Sequence, residues 1–450
     1  MRSATKRIAG WGRVPVEECV LFRPEKQHEH VEIVKNEPTL LARGLGRAYG
    51  DAALNPHATV LQERLNRFLS FDEETGVLEC EGGVSFTDII DLFRSRGWFL
   101  PVTPGTKYVT VGGAIACDIH GKNHHVAGAF SEFVLSFDLL TASGDVLLCS
   151  REENAEAFWA TVGGLGLTGI ILRARFRLKR ISSAYVAVEY QRVNNLDSAL
   201  ESFQDDAAYE YSVAWIDCLA TGSALGRAVL MRGNHARPEQ LATPQARANP
   251  LHLPDKKPKG VPLDFPDFVL NPFSIKAFNA AYFATHATKN AAVDFNTFFY
   301  PLDAVENWNR IYGARGFIQY QVALPYETSR EALVQLLEKI SGSGHASFLA
   351  VLKTFGKAGP APLSFPFAGH TLALDIPWTP ELPAFVAELD AITLRHKGRV
   401  YLAKDALLSA ESFRAMYPRF EEWRAIKNKL DPEEKFASAL SKRLRITHKP

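Results

Sequence analysis

Three glycine-rich runs fall within residues 43–169 and limit what the chain can fold into: RGLGRAYGD (Arg43–Asp51), PGTKYVTVGGAIACDIHGKNHH (Pro104–His125) and GGLGLTG (Gly163–Gly169). In the first, Gly44, Gly46 and Gly50 free the backbone to take positive φ and turn successive N–H groups inward, the geometry of a nest for an anionic phosphate. A tight turn between strands would use the same residues. In the second, the small residues from Gly112 to Ala116 permit close approach of a flat ligand, with hydroxyls and N–H groups on either side to hold its polar edge. Two such loops in one region point to a large phosphorylated cofactor more than to two accidental turns. The third run contains a literal GxGxxG at Gly164, Gly166 and Gly169, with Glu189 downstream at the spacing of a ribose-binding acid. A nicotinamide-binding turn needs a strand before it and a helix after it, so that the helix N-terminus meets the pyrophosphate. Here the pattern predicts a helix before and the strand IILRARFRL after, which excludes nicotinamide binding through this run.

Around these runs, from about residue 30 to 182, short apolar strands alternate with turns: ATVLQ, GVLECEG and VLSFDLLTASGDVLLCS, the last with a hairpin turn at Ser143-Gly144. Ser85 with Asp88 forms a capping box, and Phe86, Ile89, Ile90 and Phe93 then give a helix one apolar face. A second helix is predicted from Ser150, with Glu153, through Ala157, Phe158 and Ala160 to the stop at Gly163. From about 183 the strands lengthen and alternate (AYVAVEYQRV, YSVAWID, GFIQYQVAL, SFLAVLKTF, HTLALDI). Helices intervene after Ser329, through Leu333, Leu336, Leu337 and Ile340, and from about 380 to 397. This is the pattern of an α+β chain with an antiparallel sheet covered by helices on one face. Between Gly233 and Pro266 come seven prolines and the run DKKPKG with Lys256, Lys257 and Lys259. That composition predicts a flexible insertion, a candidate lid and membrane-surface contact or simply a solvated loop.

A length of 450 residues suits two or three domains. With 51 basic against 50 acidic side chains there is no net field to steer the chain to nucleic acid. No apolar run approaches the roughly 18 residues of a spanning helix, and the start MRSATKRIAGWGRVP has no apolar stretch that would make it a secretory signal. Five scattered cysteines without a CxxC fit reduced thiols and a cytoplasmic setting, possible peripheral contact with the inner membrane face included. His120, His124 and His125 lack the cysteine pair or HExxH frame that would complete a zinc site, so no metal is expected. Phe317, Gln319 and Gln321 share one face of a strand, where the glutamines either meet solvent or line a sugar pocket. Lys404, read as the end of an apolar strand, is either a solvated terminus or part of a site.

Taken in order, RGLGRAYGD, the Pro104–His125 run, FWATVGGLGLTGI, FYPLDAVENWNRIYGARGFIQYQ, APLSFP, YLAKDALLSAESFRAMYP and KLDPEEKFAS resemble the decaprenylphosphoryl-β-D-ribose oxidase family, of the vanillyl-alcohol oxidase type of FAD-dependent oxidoreductase. The resemblance runs from Gly10 to about Ile446 and fades mainly in the proline-rich insertion. It implies a two-domain FAD-binding oxidase: an FAD-binding part over 1–182, a substrate domain over 183–398 carrying the insertion 233–266, and a C-terminal segment 399–450 that returns to the FAD part. FAD would lie along Arg43, Gly44, Leu45, Gly46, Arg47, Ala48, Tyr49, Gly50 and Asp51. It would continue past Gly105, Thr110, Val111, Gly112, Gly113, Cys117, Asp118, Ile119 and His120, with Ile170 and Tyr401. Implied catalytic positions are Lys404, Tyr49, Gln321, His120 and Lys122. Implied substrate contacts are Trp215, Tyr312, Phe317, Gln319, Gln321, Lys353, Phe355, Ala373 and Asp375.

In the family, the 2-hydroxyl of a lipid-linked phosphoribose is oxidised to a ketone, a partner NAD-dependent keto-sugar reductase completes epimerisation to the arabinose donor, and quinone or oxygen takes the electrons. Alcohol oxidation needs a hydride acceptor that no side chain supplies, which a flavin provides. Two departures stand out. Arg47 occupies the place of the histidine that attaches FAD covalently in some relatives of this fold, so the expected FAD is non-covalent. Ala373 replaces a cysteine found in mycobacterial members, so that thiol is not needed here. A flavin oxidase of a soluble sugar, aldonolactone or alditol is the alternative enzyme, and a non-catalytic flavin-fold subunit of a membrane glycan assembly is the alternative outside enzymology.

Overall fold

The computed structural model describes residues 3–204, 208–254, 259–266, 268–345 and 347–448. The first glycine run leaves a small mixed sheet in the strand order Ser3–Ala9, Val16–Phe22, Thr59–Leu61, Leu41–Arg43. Beside it lies an antiparallel sheet in the order Phe68–Phe71, Val77–Glu81, Ile170–Arg177, Val134–Leu140, Val146–Ser150. The predicted helix forms over Phe86–Phe93 and buries Phe86, Ile89, Ile90 and Phe93. Ser85 and Asp88 cap it reciprocally. Gly144, at φ +89°, closes the expected hairpin between the last two strands of the series Val134–Leu140 and Val146–Ser150.

The second half builds an eight-stranded antiparallel sheet, ordered Lys289–Asp294, Tyr185–Val193, Ala228–His235, Tyr211–Ile216, Ala350–Phe355, Gly369–Pro377, Phe317–Pro325, Arg399–Val400. Helices Tyr326–Ser343 and Leu382–Arg395 cover one face, burying Leu333, Leu336, Leu337 and Ile340 from the first and Leu382, Phe385, Val386 and Leu389 from the second. The other face is left to the cavity described below. The chain is α+β, as the alternation of patterns predicts.

Two expectations are corrected. The helix placed at Ser150 spans Ala155–Thr161. Ser150 ends a strand, and its hydroxyl accepts from the N–H groups of Glu152 and Glu153 at 3.1 and 2.9 Å; a serine satisfied by a local turn mimics a cap in sequence. The insertion 233–266 is not uniformly flexible. Gly233 lies inside the strand Ala228–His235, Ala236 and Leu241 are fully buried, and Leu251 and Leu253 pack on the core of the first half. Pro250 accepts from Ala184 N at 2.8 Å, and Arg94 bonds the carbonyl of Leu251. Three leucines thus supply the burial that the average composition hides. Lys256 and Lys257 lie outside the described residues. Lys259 opens a two-residue strand beside Val305–Glu306, and Arg13 pairs with Asp264 at 2.6 Å.

The C-terminal segment closes onto the first sheet. Phe436 bridges to Leu40, Asn55 donates to Ala437 O at 2.7 Å, and Trp423 donates to Ala160 O at 2.8 Å. Arg443 grips the buried carboxylates of Asp51 and Asp405, each at 2.8 Å. Removing that cation strands two buried carboxylates, so Arg443→Met is expected to cost about 3 kcal/mol of stability. Thermal unfolding of the variant checks this, and an unchanged melting temperature would contradict it. Among the described residues no helix is long and apolar enough to cross a membrane, and no cluster of His, Cys, Asp and Glu is arranged to hold a metal ion.

Candidate active site

The first two glycine runs meet. A Cβ on Gly44 would lie 2.3 Å from Thr110 Oγ1, so only glycine allows the contact. Thr110 caps the short helix Val111–Ala116 and accepts from Gly113 N at 3.2 Å, while Gly112 N donates to Gly82 O at 2.8 Å. Together they wall one end of a cavity of about 770 Å³, within the range of cofactor sites. Of the residues singled out in the sequence, Gly44 through Tyr49, Gly105, Thr110, Gly112, Gly113, Cys117, Ile119, His120, Lys122 and Ile170 line it from the first half. Trp215, Gln319, Gln321, Lys353, Ala373, Tyr401 and Lys404 line it from the second.

Others stand behind the wall. Arg43 donates to Ala9 O and Ala53 O at 2.6 and 3.1 Å, Gly50 packs on Asp405, and Asp51 is held by Arg443. Val111 is wholly within the core, and Asp118 bonds Ser364 Oγ and Ser131 N. Tyr312 stacks on Phe317 at 4.0 Å, and Phe317 supports the Tyr49 ring at 5.5 Å. Phe355 packs at 4.8 Å against the ring of His120. Asp375 reaches the cavity through Gln319.

The sequence reading missed several lining groups. The GxGxxG run does follow a helix and precede a strand, yet Gly166, at φ +76°, and Gly169 form part of the cavity wall. Their glycine content is the sequence signal for this, independent of any nicotinamide motif. Glu189 pairs with Arg232 at 2.8 Å instead. Trp11, Tyr108, Asp303, Tyr282 and His286 also line the cavity and carried no local signal. The Arg47 guanidinium sits 4.2 Å over the Trp11 ring and 5.5 Å from that of Tyr108, a stacked cation beside the glycine nest.

Lys404 is no strand terminus. The strand stops at Val400, and Lys404 lies in a turn closed by its N–H to Tyr401 O at 2.9 Å. Its Nζ sits 3.9 Å over the Tyr49 ring. Burial lowers the pKa of Lys404 and raises that of Asp375, while the attraction between the two opposes both shifts. Gln319 Nε2 donates to Asp375 Oδ1 at 2.5 Å and to Tyr49 OH at 3.2 Å, tying the group together. Gln321 Nε2 lies 3.0 Å from His120 Nε2 and 3.3 Å from Thr371 Oγ1. An amide donor there makes His120 Nε2 an acceptor, and burial with the nearby cations keeps the ring neutral. Lys122 bonds the carbonyl of Phe298; burial and then repulsion from Lys353 push its pKa down to about 7. Burial alone lowers Lys353 to about 8.

The pattern of an FAD binding domain matches residues 20–150, and that of D-arabinono-1,4-lactone oxidase matches residues 315–444. Decaprenylphosphoryl-beta-D-ribose oxidase of Mycolicibacterium smegmatis is 40% identical over 454 aligned residues, covering 99% of this chain and 98% of the relative. L-gulonolactone oxidase of Bos taurus is 24% identical over 93% of this chain and 90% of its own length. Delta(24)-sterol reductase of Rattus norvegicus is 28% identical over 31% of this chain and 27% of its own.

Proposed function

The chain belongs to the decaprenylphosphoryl-β-D-ribose oxidase family, and from that premise we propose that it oxidises the 2-hydroxyl of a polyprenylphosphoryl-β-D-ribose to the 2-keto sugar. It is an FAD-dependent oxidoreductase acting on a CH–OH group. The residues present fit the cofactor. Gly44, Gly46, Gly112 and Gly113 leave the cradle free of side chains, and Arg47 adds a cation beside it. FAD bound there supplies the hydride acceptor.

The protein's own groups handle the proton and the phosphate. Lys404, its pKa depressed by burial, takes the hydroxyl proton at Nζ, and the ammonium so formed rests on the Tyr49 ring and faces the Asp375 carboxylate. Gln321 and neutral His120 orient the sugar. Lys122 and Lys353 meet the phosphate as point charges. The observation that carries this reading is the single cavity joining two glycine loops to the Lys404–Tyr49–Gln319–Asp375 group. A primary isotope effect on flavin reduction from deuterium at ribose C2, absent with deuterium at C3, is the expected result; an effect confined to C3 would refute the regiochemistry.

Within this reading, 1–182 with 399–450 forms the FAD part and 183–398 the substrate part. A keto-sugar reductase consumes the product, quinone or oxygen reoxidises the cofactor, and membrane contact is peripheral. The D-arabinono-1,4-lactone oxidase match over 315–444 supports a second reading, oxidation of a soluble sugar, which rapid peroxide release with a water-soluble polyol or lactone would favour.

Lysines are charged below their pKa, so phosphate binding by Lys122 and Lys353 should hold at about pH 6 and fade as pH rises through about 7 and about 8. KM for the phosphorylated substrate is expected to climb across that window, and a flat profile would remove these lysines from phosphate binding. With Arg47 at the possible attachment position, acid or heat precipitation should release yellow flavin to the supernatant; colour held on the pellet would contradict non-covalent binding.

A further inference from the structure

The cavity extends well past the groups that handle sugar and phosphate, across the uncovered face of the eight-stranded sheet. The strand register traces the path. Gln321 lies opposite Ala373, Ala373 opposite Val351, and Val351 opposite Trp215. Two residues back along the same strand, and therefore on the same face, Val213 lies opposite Met231, and Met231 opposite Tyr190. All of these residues line the one cavity. From the Phe317–Pro325 strand to the Tyr185–Val193 strand the order gives five interstrand steps, about 24 Å.

Polarity changes along that length. Gln319, Gln321, Lys353 and Lys404 gather at one end, whereas the floor from Val351 to Tyr190 presents aliphatic, thioether and aromatic groups. The helix Pro272–Thr285 and the residue after it form a roof. The Tyr282 ring lies 4.4 Å from that of Trp215, His286 stacks on Tyr282 at 3.9 Å, and the His286 ring reaches within 6.5 Å of Tyr190. At the far end Tyr190 and His286 are only half-buried, and the exposed Lys289 lies over the Tyr190 ring, so the path reaches solvent there. The apolar part, from the Val351 strand to the Tyr190 strand, covers three of those steps, about 14 Å, and a site for a sugar phosphate alone has no use for it.

We propose that this roofed trough, floored by Val351, Trp215, Val213, Met231 and Tyr190, binds the polyisoprenyl chain of the substrate, with its first units next to Lys353 and its distal units leaving alongside the Tyr282–Trp215 contact and past His286. The inference rests on the lipid-linked substrate proposed above and assigns the lipid its place. Several isoprene units fit along the trough in extended form, and their burial adds binding energy remote from the reacting carbon. Chain length beyond the trough adds nothing, because those units lie outside the protein.

The test uses the FAD-loaded protein and a polyprenyl phosphate, lacking sugar, with a diazirine on a distal isoprene unit inside the expected span. Photolabelling is expected on the Tyr185–Val193 or Ala228–His235 strand or on the Pro272–Thr285 helix; labelling elsewhere would overturn the assignment. Met231→Trp and Val213→Trp, which grow into the cavity, should each cut this labelling and the kcat/KM of a long-chain phosphoribose by about tenfold. Both should bring long-chain and single-isoprene substrates to similar kcat/KM. Wild-type labelling and chain-length preference retained in both variants would also overturn it. Trough labelling without oxidation of any prenylphosphoribose would sink the proposed reaction and leave the trough standing. Oxidation with labelling elsewhere would do the reverse.

Discussion

Replacing Lys404 by Met is expected to slow flavin reduction by at least about a hundredfold, roughly 2.7 kcal/mol of barrier, in a protein that still folds and binds FAD. Methionine keeps most of the apolar stem and removes only the amine proposed to accept the proton. The lysine lies inside the cavity with its Nζ over Tyr49, and no salt bridge ties it to a structural partner among the described residues. A merely structural lysine would leave the reduction rate unchanged. The pH profile separates the roles further. As the proton acceptor, Lys404 must be neutral, so reduction should slow as pH falls through its depressed pKa and lose that limb in the Met variant. A folded, FAD-loaded Lys404→Met protein reducing its flavin at the original rate would remove this residue from the mechanism.

Gly44→Val should nearly abolish FAD binding, weakening it by at least about a hundredfold, roughly 2.7 kcal/mol. A Cβ there meets Thr110 Oγ1 at 2.3 Å, and the branched carbons of valine need still more room. Relief requires Thr110 to move, which releases the bond from Gly113 N and opens the apposed glycine loops. The cost falls on the cradle, because Gly44 lines the cavity. The expected product is a folded, colourless protein that regains flavin absorbance only at high added FAD; a yellow protein of normal affinity would show that the loops do not hold the cofactor.

Much of this arrangement is legible in the sequence because it is local. The Ser85–Asp88 cap, the helix it starts, the alternating strands and the first two glycine runs each declare themselves within about ten residues, through periodicity and backbone freedom. What was misread is also local. Ser150 looks like a cap because a serine turn offers the same acceptor, and the segment 233–266 looks loose because its seven prolines outnumber the three leucines that anchor it. What could not be read is tertiary. Nothing near Trp11 shows that Arg47 will stack on it, and nothing in Tyr190 or Met231 shows that six strands will line them up with Gln321. Lys404 is a middle case: its neighbours suggest a strand end, while the turn that buries it depends on packing against Tyr49. Its proposed role rests on the family resemblance together with that buried position. Asp51 and Asp118 lie in the glycine runs but serve the protein's own interior, since a motif gathers bracing groups along with contacting ones.

Anaerobic mixing of the purified, FAD-loaded protein with a polyprenylphosphoryl-β-D-ribose, followed by flavin absorbance, tests the central claim most directly. The account predicts stoichiometric bleaching of the yellow flavin with formation of the 2-keto sugar. Flavin that stays oxidised with this substrate but bleaches with a soluble polyol or aldonolactone would contradict it.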